Sequence, residues 1–375
     1  MIVRLKLSIL LAKLAGTLSR IILRKSGETI PGRVLLALYP KAISELAKGR
    51  KIICISGTNG KTSTTKALVS AISKLGSVTT SPSGSNLDRG VAAALMKKTE
   101  YAVLEVDELH LARIIKEAKP KIVLLLNLTR DQLHRMHEVK RVADRWAKSA
   151  ATAPETIFVG DIDDPFVAHA LASAAQKIGV SFGGRRHLDG AVCPNCGIYL
   201  KWNRDNYKCV CGLTNTNPDE LFESGSAAYR NATLANVTGK ILGAKAIEID
   251  ERALERSVDR EYKGVKANIR LTKNPASWSE ALQSVTGDEV ILIVNAREVD
   301  GIDTSWLWDI SFKSLSGKRI VVCGERALDI AYRLHVEGIE AEIVSNFEAA
   351  ITKFPKNSQV HVLAAYTAFH ELVNS

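Results

Sequence analysis

Apolar residues along the chain follow two rhythms. Short, nearly continuous runs fall at Ile52-Ile53-Cys54-Ile55, Tyr101 to Val106, Lys121 to Leu126 and Thr156 to Gly160. Stretches with helical spacing separate them: Leu68, Ala71, Ile72 and Leu75 mark the first, and Glu108 to Glu117 the second. A strand buried on both faces needs apolar side chains at every position. These runs therefore predict a mostly parallel sheet covered by helices on both sides. A helix opened by Tyr229 to Asn236 closes the set. A second α/β series follows, with strands at Glu289 to Val294, Arg319 to Cys323, Ala341 to Val344 and Gln359 to Leu363, and a helix at Ala327 to Val336. The expected organisation is a helical segment at 1–47, a central α/β domain at 48–262 and a C-terminal, Rossmann-like α/β domain at 263–375.

Residues 186–218 interrupt the alternation with two close cysteine pairs, Cys193/Cys196 and Cys209/Cys211. Pairs at this spacing fold as facing knuckles that offer four thiolates in a tetrahedron, the donor set of structural Zn²⁺. Four thiolates leave no open position, so such a metal holds a loop together and does no chemistry. The remaining cysteines, Cys54 and Cys323, sit inside apolar runs and read as buried thiols. A metal site in a reducing compartment fits this distribution better than a disulfide framework.

Composition narrows the partners. The 375 residues are 46% hydrophobic and carry a net charge of +11, which supports packed cores and an anionic partner: nucleotide, nucleic acid or an anionic membrane surface. The ribbon's aromatics are few (Tyr199, Trp202, Tyr207), and single-strand recognition wants stacking platforms, so no nucleic acid is expected. The first 25 residues read as one basic amphipathic helix. Their uncharged runs are too short to span a bilayer, and no signal-peptide cleavage site closes them. The helix either docks on the protein's own core or lies on an anionic membrane face. The expected location is cytoplasmic, with association to the inner face of the membrane left open.

The stretch with the most chemistry is Gly57-Thr58-Asn59-Gly60-Lys61-Thr62-Ser63, between an apolar strand and a helix. Such a turn directs backbone N–H groups into one concavity at the positive end of a helix. Lys61 adds a charge for the β/γ-phosphates, and the Thr62 hydroxyl is placed to ligate Mg²⁺. A full P-loop spelling has glycine where this chain has Ile55; the compressed form remains, and it predicts an ATP site. Glu105, Asp107, Glu108, Asn127 and Asp131 fall just beyond other strand ends, where parallel sheets bind ligands. They read either as caps and turns or, with Lys61 and Thr62, as a metal–nucleotide constellation. In the second reading Glu105, with Glu108 beside it, completes the Mg²⁺ coordination that Thr62 begins. Farther on, Asp300, Asp303 and Asp309 share a loop with Trp306 and Trp308, more than a turn requires.

Gly57-Thr-Asn-Gly-Lys-Thr62 resembles the nucleotide loop of Mur ligases, the ATP-dependent amide-forming enzymes of peptidoglycan assembly. Glu105-Val-Asp-Glu108, Asn127-Leu-Thr-Arg-Asp131, the inserted cysteine ribbon, Leu271-Thr-Lys-Asn274, the loop from Asp300 to Asp309 and Tyr366-Thr-Ala-Phe resemble the branch that amidates lipid II. The resemblance implies that ATP phosphorylates the α-carboxylate of D-isoglutamate in the lipid II stem peptide. Ammonia from a GatD-type class I glutaminase subunit then gives D-isoglutamine. It further implies that the C-terminal domain lends an aspartate to the glutaminase, Asp303 first, with Asp309 and Asp300 in reserve. Asn231 and Arg260 fall where the family binds nucleotide. Three positions depart from the pattern: Arg230 replaces a usual aromatic residue, His134 a usual aspartate, and Val258-Asp259-Arg260 a Phe-Gly-Arg signature. The alternatives are a stand-alone Mur or folylpolyglutamate-type ligase and a zinc-ribbon, nucleotide-dependent nucleic-acid binder.

Overall fold

In a computed structural model the described residues are 2–23, 29–82, 85–130, 139–187, 189–254, 257–297, 300 and 302–374. Asp131 and His134 lie outside them. The chain forms two compact units, residues 1–129 with 138–254, and residues 130–137 with 255–375.

In the first unit α1 (Ile2–Leu23), α2 (Ile30–Leu38) and α3 (Ala42–Ala47) precede β1 (Lys51–Ser56). Then come α4 (Lys61–Ile72), β2 (Val78–Thr80), α5 (Asp88–Leu95), β3 (Tyr101–Glu105), α6 (Leu111–Ala118), β4 (Ile122–Leu125) and α7 (Val139–Ala151). The series continues with β5 (Ile157–Asp161), α8 (Pro165–Ala172) and β6 (Gln176–Ser181). A ribbon with β7 (Lys201–Asn203) and β8 (Asn206–Lys208) leads to β9 (Glu220–Leu221), α9 (Ala227–Ile241) and α10 (Glu251–Leu254). The main sheet runs β2-β3-β1-β4-β5-β6-β9 and its pairings are parallel. Every residue of β3 and β4 is buried, as the continuous apolar runs predict. β1 lies between β3 and β4, so the chain turns to opposite sides of the sheet there, and a crevice opens beyond the strands' carboxyl ends.

Two helix boundaries differ from expectation. The first helix ends at Ile72, leaving Leu75 exposed in the following turn. α6 begins at Leu111 because Asp107 accepts the Leu109 N–H at 3.0 Å, which holds residues 108–110 as a turn.

The second unit contains β10 (Ser257–Tyr262), β11 (Val265–Leu271), α11 (Pro275–Gln283), β12 (Glu289–Ile293), β13 (Arg319–Cys323), α12 (Ala327–Val336), β14 (Glu342–Ile343), α13 (Phe347–Ile351), β15 (Gln359–Ala364) and α14 (Tyr366–Asn374). Its sheet, ordered β10-β11-β15-β12-β13-β14, is parallel except for the antiparallel edge pair β10/β11. It is therefore a mixed sheet, a departure from a purely parallel Rossmann pattern. The turn of the β10/β11 hairpin, Lys263-Gly264, is where the 262/263 boundary falls.

Candidate active site

The phosphate-loop residues leave β1 at Ser56 and enter α4 at Lys61. Gly60 caps the helix at φ +88°, a left-handed conformation that costs residues with a Cβ. The loop is clamped to the end of β4. Thr58 N donates to Asn127 O (2.9 Å), Asn59 N donates to Asn127 Oδ1 (3.0 Å), and Asn127 Nδ2 donates back to Asn59 O (3.0 Å). Thr58 Oγ1 accepts from Thr129 N and donates to Thr129 O. These bonds fix the loop's backbone before any ligand arrives. The first turn of α4 carries no acidic residue, so its positive end is uncompensated within the helix.

Two buried carboxylates converge on that turn. Thr62 Oγ1 donates to Glu105 Oε2 at 3.0 Å, and Lys61 Nζ lies 3.3 Å from Glu108 Oε1 while also donating to the Gly57 carbonyl. Glu105 ends β3 opposite Ile55, so the strand register itself brings it to Thr62. A hydroxyl and a carboxylate this close are hard oxygen donors suited to Mg²⁺. The Glu108 carboxylate pairs with the lysine, while its carbonyl accepts from Trp146 Nε1 at 3.0 Å. Trp146 escaped sequence reasoning because an apolar position on a helix gives no hint of a bond to a distant carbonyl. Ser63 Oγ donates to the Leu254 carbonyl at 2.6 Å.

Asn231 belongs to this cluster. A Cβ built on Gly60 would lie 2.5–2.8 Å from its amide atoms, so the amide sits directly on the loop. Its neighbour Arg230 turns to the interior instead. It pairs with Asp161 and with Asp163 (3.8 Å), its guanidinium 4.8 Å from the centre of the Phe182 ring. Burial pushes the Asp161 carboxyl up to about 6 against the opposing pull of Arg230. Arg230 thus takes a structural place where an aromatic residue was expected. Arg260 is an exposed residue of β10, which belongs to the second unit.

Asp164 was also missed, although Asp164-Pro165 spells a helix start. Its carboxylate caps α8 through Phe166 N, accepts from Leu128 N at 2.6 Å and meets His187 Nε2 at 3.1 Å. Burial lowers the affinity of His187 for its proton, but the Asp164 carboxylate outweighs this and the net shift is upward.

In the ribbon the four cysteine sulfurs lie within 4.8 Å of one another, with Cys193–Cys211 at 3.6 Å and Cys196–Cys209 at 3.3 Å. Zn–S bonds of about 2.3 Å in a tetrahedron require sulfur separations of about 3.8 Å, so the set fits a four-thiolate metal. Each knuckle closes on a glycine at positive φ, Gly197 or Gly212. Trp202 donates to Gly190 O within the ribbon, and buried Tyr207 donates to Ile162 O, which ties the ribbon to its parent unit.

In the second unit the three aspartates of the tryptophan loop differ in kind. Asp300 is buried and accepts from Arg297 N, Thr367 N and Thr367 Oγ1. Asp309 pairs with Arg130 at 3.0 Å. Asp303 is exposed and accepts the Ser305 N–H at 2.8 Å. Beside it Trp308 is exposed and packs on Tyr332, whereas Trp306 packs on buried Trp278. Asn274, part of the Leu-Thr-Lys-Asn motif, caps α11 in a capping box with Ser277.

Residues 55–210 match the Mur ligase middle domain, and residues 271–369 match the MurT ligase C-terminal domain. The chain belongs to the Mur ligase family, in its MurT branch. Among curated relatives, the lipid II isoglutaminyl synthase (glutamine-hydrolyzing) subunit MurT of Streptococcus pneumoniae is 27% identical over 97% of both chains. That of Staphylococcus aureus is 29% identical over 89% of this chain and 88% of its own. The fold is shared with a pseudomurein peptide ligase type C from Methanothermus fervidus (TM-score 0.63, 18% identity, 86% of this chain and 79% of the other). It is shared equally with MurF ligase from Thermotoga maritima, solved with ADP (TM-score 0.62, 18% identity, 92% and 83%). A Mur ligase fold implies ATP and Mg²⁺, and the loop, Thr62 and Glu105 have the donors to hold them. MurT relatives are named as subunits, which implies a partner chain. No helix among the described residues is long and apolar enough to cross a membrane.

Proposed function

We propose that this chain is the ligase subunit of a glutamine-hydrolysing lipid II isoglutaminyl synthase. It amidates the α-carboxylate of D-isoglutamate in the stem peptide to D-isoglutamine, working beside a GatD-type class I glutaminase at the inner membrane face. The observation that carries this reading is the convergence of Lys61, Thr62, Glu105 and Glu108 on the N-terminus of α4, in a chain whose C-terminal domain is of the MurT type.

A carboxylate resists ammonia until its oxygen becomes a good leaving group, so phosphoryl transfer comes first. Backbone N–H groups of the loop and Lys61 hold the phosphates in line and offset the charge that develops on them. Mg²⁺, held by Thr62 and Glu105, supplies Lewis-acid neutralisation when bound. Glu108 orients Lys61, and Asn231 lies over the loop to meet the nucleotide. Zn²⁺ in the Cys193/Cys196/Cys209/Cys211 set is structural. Asp303 is the residue offered to the glutaminase, where an aspartate behind a histidine fixes tautomer and orientation. Its exposure supports this role, as do the engagement of Asp300 inside the loop and the pairing of Asp309 with Arg130.

The test is reconstitution of the chain with a class I glutaminase, following ATP-, glutamine- and lipid II-dependent amidation by mass spectrometry. Lys61→Ala is expected to abolish amidation while glutamine hydrolysis by the complex stays measurable. Asp303→Asn should depress hydrolysis yet spare synthesis from added ammonium salts. Normal hydrolysis in that variant would remove Asp303 from the role. Full activity of the chain alone with an amino acid as nucleophile would point to the stand-alone ligase instead.

A further inference from the structure

Helix α1 is folded inside out relative to an ordinary surface helix. Ser8, Ala12, Gly16 and Ser19 are buried, whereas Val3, Leu7, Leu10, Leu14 and Leu18 are each more than half exposed. The small residues are inside because α2 lies against them. A Cβ on Gly16 would come within 2.5 Å of Pro31 Cγ, so nothing larger fits that crossing. At about 100° per residue, the exposed apolar side chains, with Leu11, fall within an arc of about 100°. Lys6 and Lys13, both exposed, border one edge of the arc and Arg4 the other. The sequence has six basic residues before Glu28, its first acidic residue.

We propose that α1 is an in-plane anchor that seats the first unit on a membrane surface rich in anionic lipid. The leucine stripe enters the acyl boundary, and Lys6 and Lys13 meet the headgroups along one rim, while Arg4 on the other is held by the Leu38 carbonyl and the Tyr39 ring. An anchor lying in the plane fits the rest of the helix. Lys13 stands in mid-helix and the opposite face is occupied by α2, so α1 cannot cross the bilayer. Charge also argues against a second copy as the occupant. Two such helices face to face would bring lysine rims together with no acid on either helix to pair them. The anchor is independent of the ligase chemistry, and each can fail without the other.

The experiment is co-sedimentation of the full chain with vesicles of phosphatidylcholine alone and with vesicles in which one third is phosphatidylglycerol. Binding is expected on the anionic vesicles, little on the neutral ones, and less as salt rises. Leu7→Glu combined with Leu14→Glu should weaken it by at least about tenfold. Both side chains point outward, so circular dichroism and MgADP binding should be unchanged. Should that variant misfold, Lys6→Glu with Lys13→Glu keeps the stripe and should abolish the preference for anionic vesicles. Four results would overturn the proposal: no binding at low salt, equal binding to both vesicle types, a folded Leu7/Leu14 variant that binds like wild type, or a wild-type dimer that the variant dissociates without any vesicle binding.

Discussion

Replacing Gly60 with alanine tests how tightly the phosphate loop is built. Gly60 has φ +88°, and the left-handed region costs a residue with a Cβ about 1–2 kcal/mol. The new Cβ would also lie 2.5 Å from Asn231 Nδ2 and 2.6 Å from its Oδ1, where ordinary contact begins at 3.4 Å. Asn231 is buried on a helix packed against α4 and can yield only by moving its amide off the loop. Overpacking of this kind costs a further ~1–3 kcal/mol. Gly49 supplies the control, with φ +73° and no atom within 4 Å of a Cβ, so Gly49→Ala carries the backbone cost alone. Amide hydrogen exchange along β1 and α4 reads the stability of the first unit by itself, which a single melting temperature of a two-unit chain does not. Gly60→Ala should lose more than Gly49→Ala by the overpacking term, and its MgADP affinity should fall by about tenfold or more. Adding Asn231→Ala should recover most of the excess and leave the φ cost. If Gly60→Ala and Gly49→Ala lose the same stability, or the double-mutant cycle with Asn231 shows coupling below about 0.5 kcal/mol, the amide does not rest on the loop.

Glu105→Gln keeps the hydrogen bond to Thr62 but removes the charge, so MgATP affinity should drop tenfold or more while metal-free nucleotide binding changes little, as isothermal titration would read; this size assumes a loss of about 1.4 kcal/mol. Cys209→Ser should reduce zinc, measured by plasma mass spectrometry, from one equivalent towards none and raise proteolysis between 186 and 218. His187→Gln should cost about 1–3 kcal/mol at mildly acid pH by weakening the Asp164 pair. The native pKa of His187 is raised, so the pair's contribution is complete below the ordinary histidine range and disappears as pH rises through the raised native value. The gap between wild type and His187→Gln in urea titrations should therefore narrow towards alkaline pH, and a gap that widens would reverse the assignment.

The parts legible in the sequence are those in which neighbouring residues do the work. A fully apolar run predicts a buried strand, and Gly60-Lys61-Thr62 is one turn whose function depends on its own backbone. Cysteine pairs on knuckles carry their spacing with them. The meeting of Glu105 with Thr62 was legible at one remove, because an acid at the end of a parallel strand must lie beside the loops of adjacent strands. Contacts that join distant parts of the fold left no such trace. Arg230 was compared with an aromatic residue at the same position, but its partners Asp161 and Asp163 lie some seventy residues away and become neighbours only when α9 crosses β5. α1 was read as a basic amphipathic helix that either docks on the core or lies on a membrane face. The hydrophobic pattern has the same period whichever face is buried, and the small residues opposite decide which face packs.

The two sets of acids in this chain illustrate a general constraint. Glu105 and Glu108 are buried, one bonded to a hydroxyl and the other to an ammonium. A carboxylate taken out of water needs such partners, and they also aim it. Asp303 has the opposite setting. It is solvent-exposed on a loop whose neighbour Asp300 is fastened by Thr367 and the Arg297 backbone. Such exposure leaves the carboxylate within reach of a thiol–histidine pair on another protein, the role proposed for it. Its own Asx bond to Ser305 N fixes the direction in which it points. Burial with internal partners suits chemistry completed within one unit, and exposure on an anchored loop suits chemistry completed by another chain.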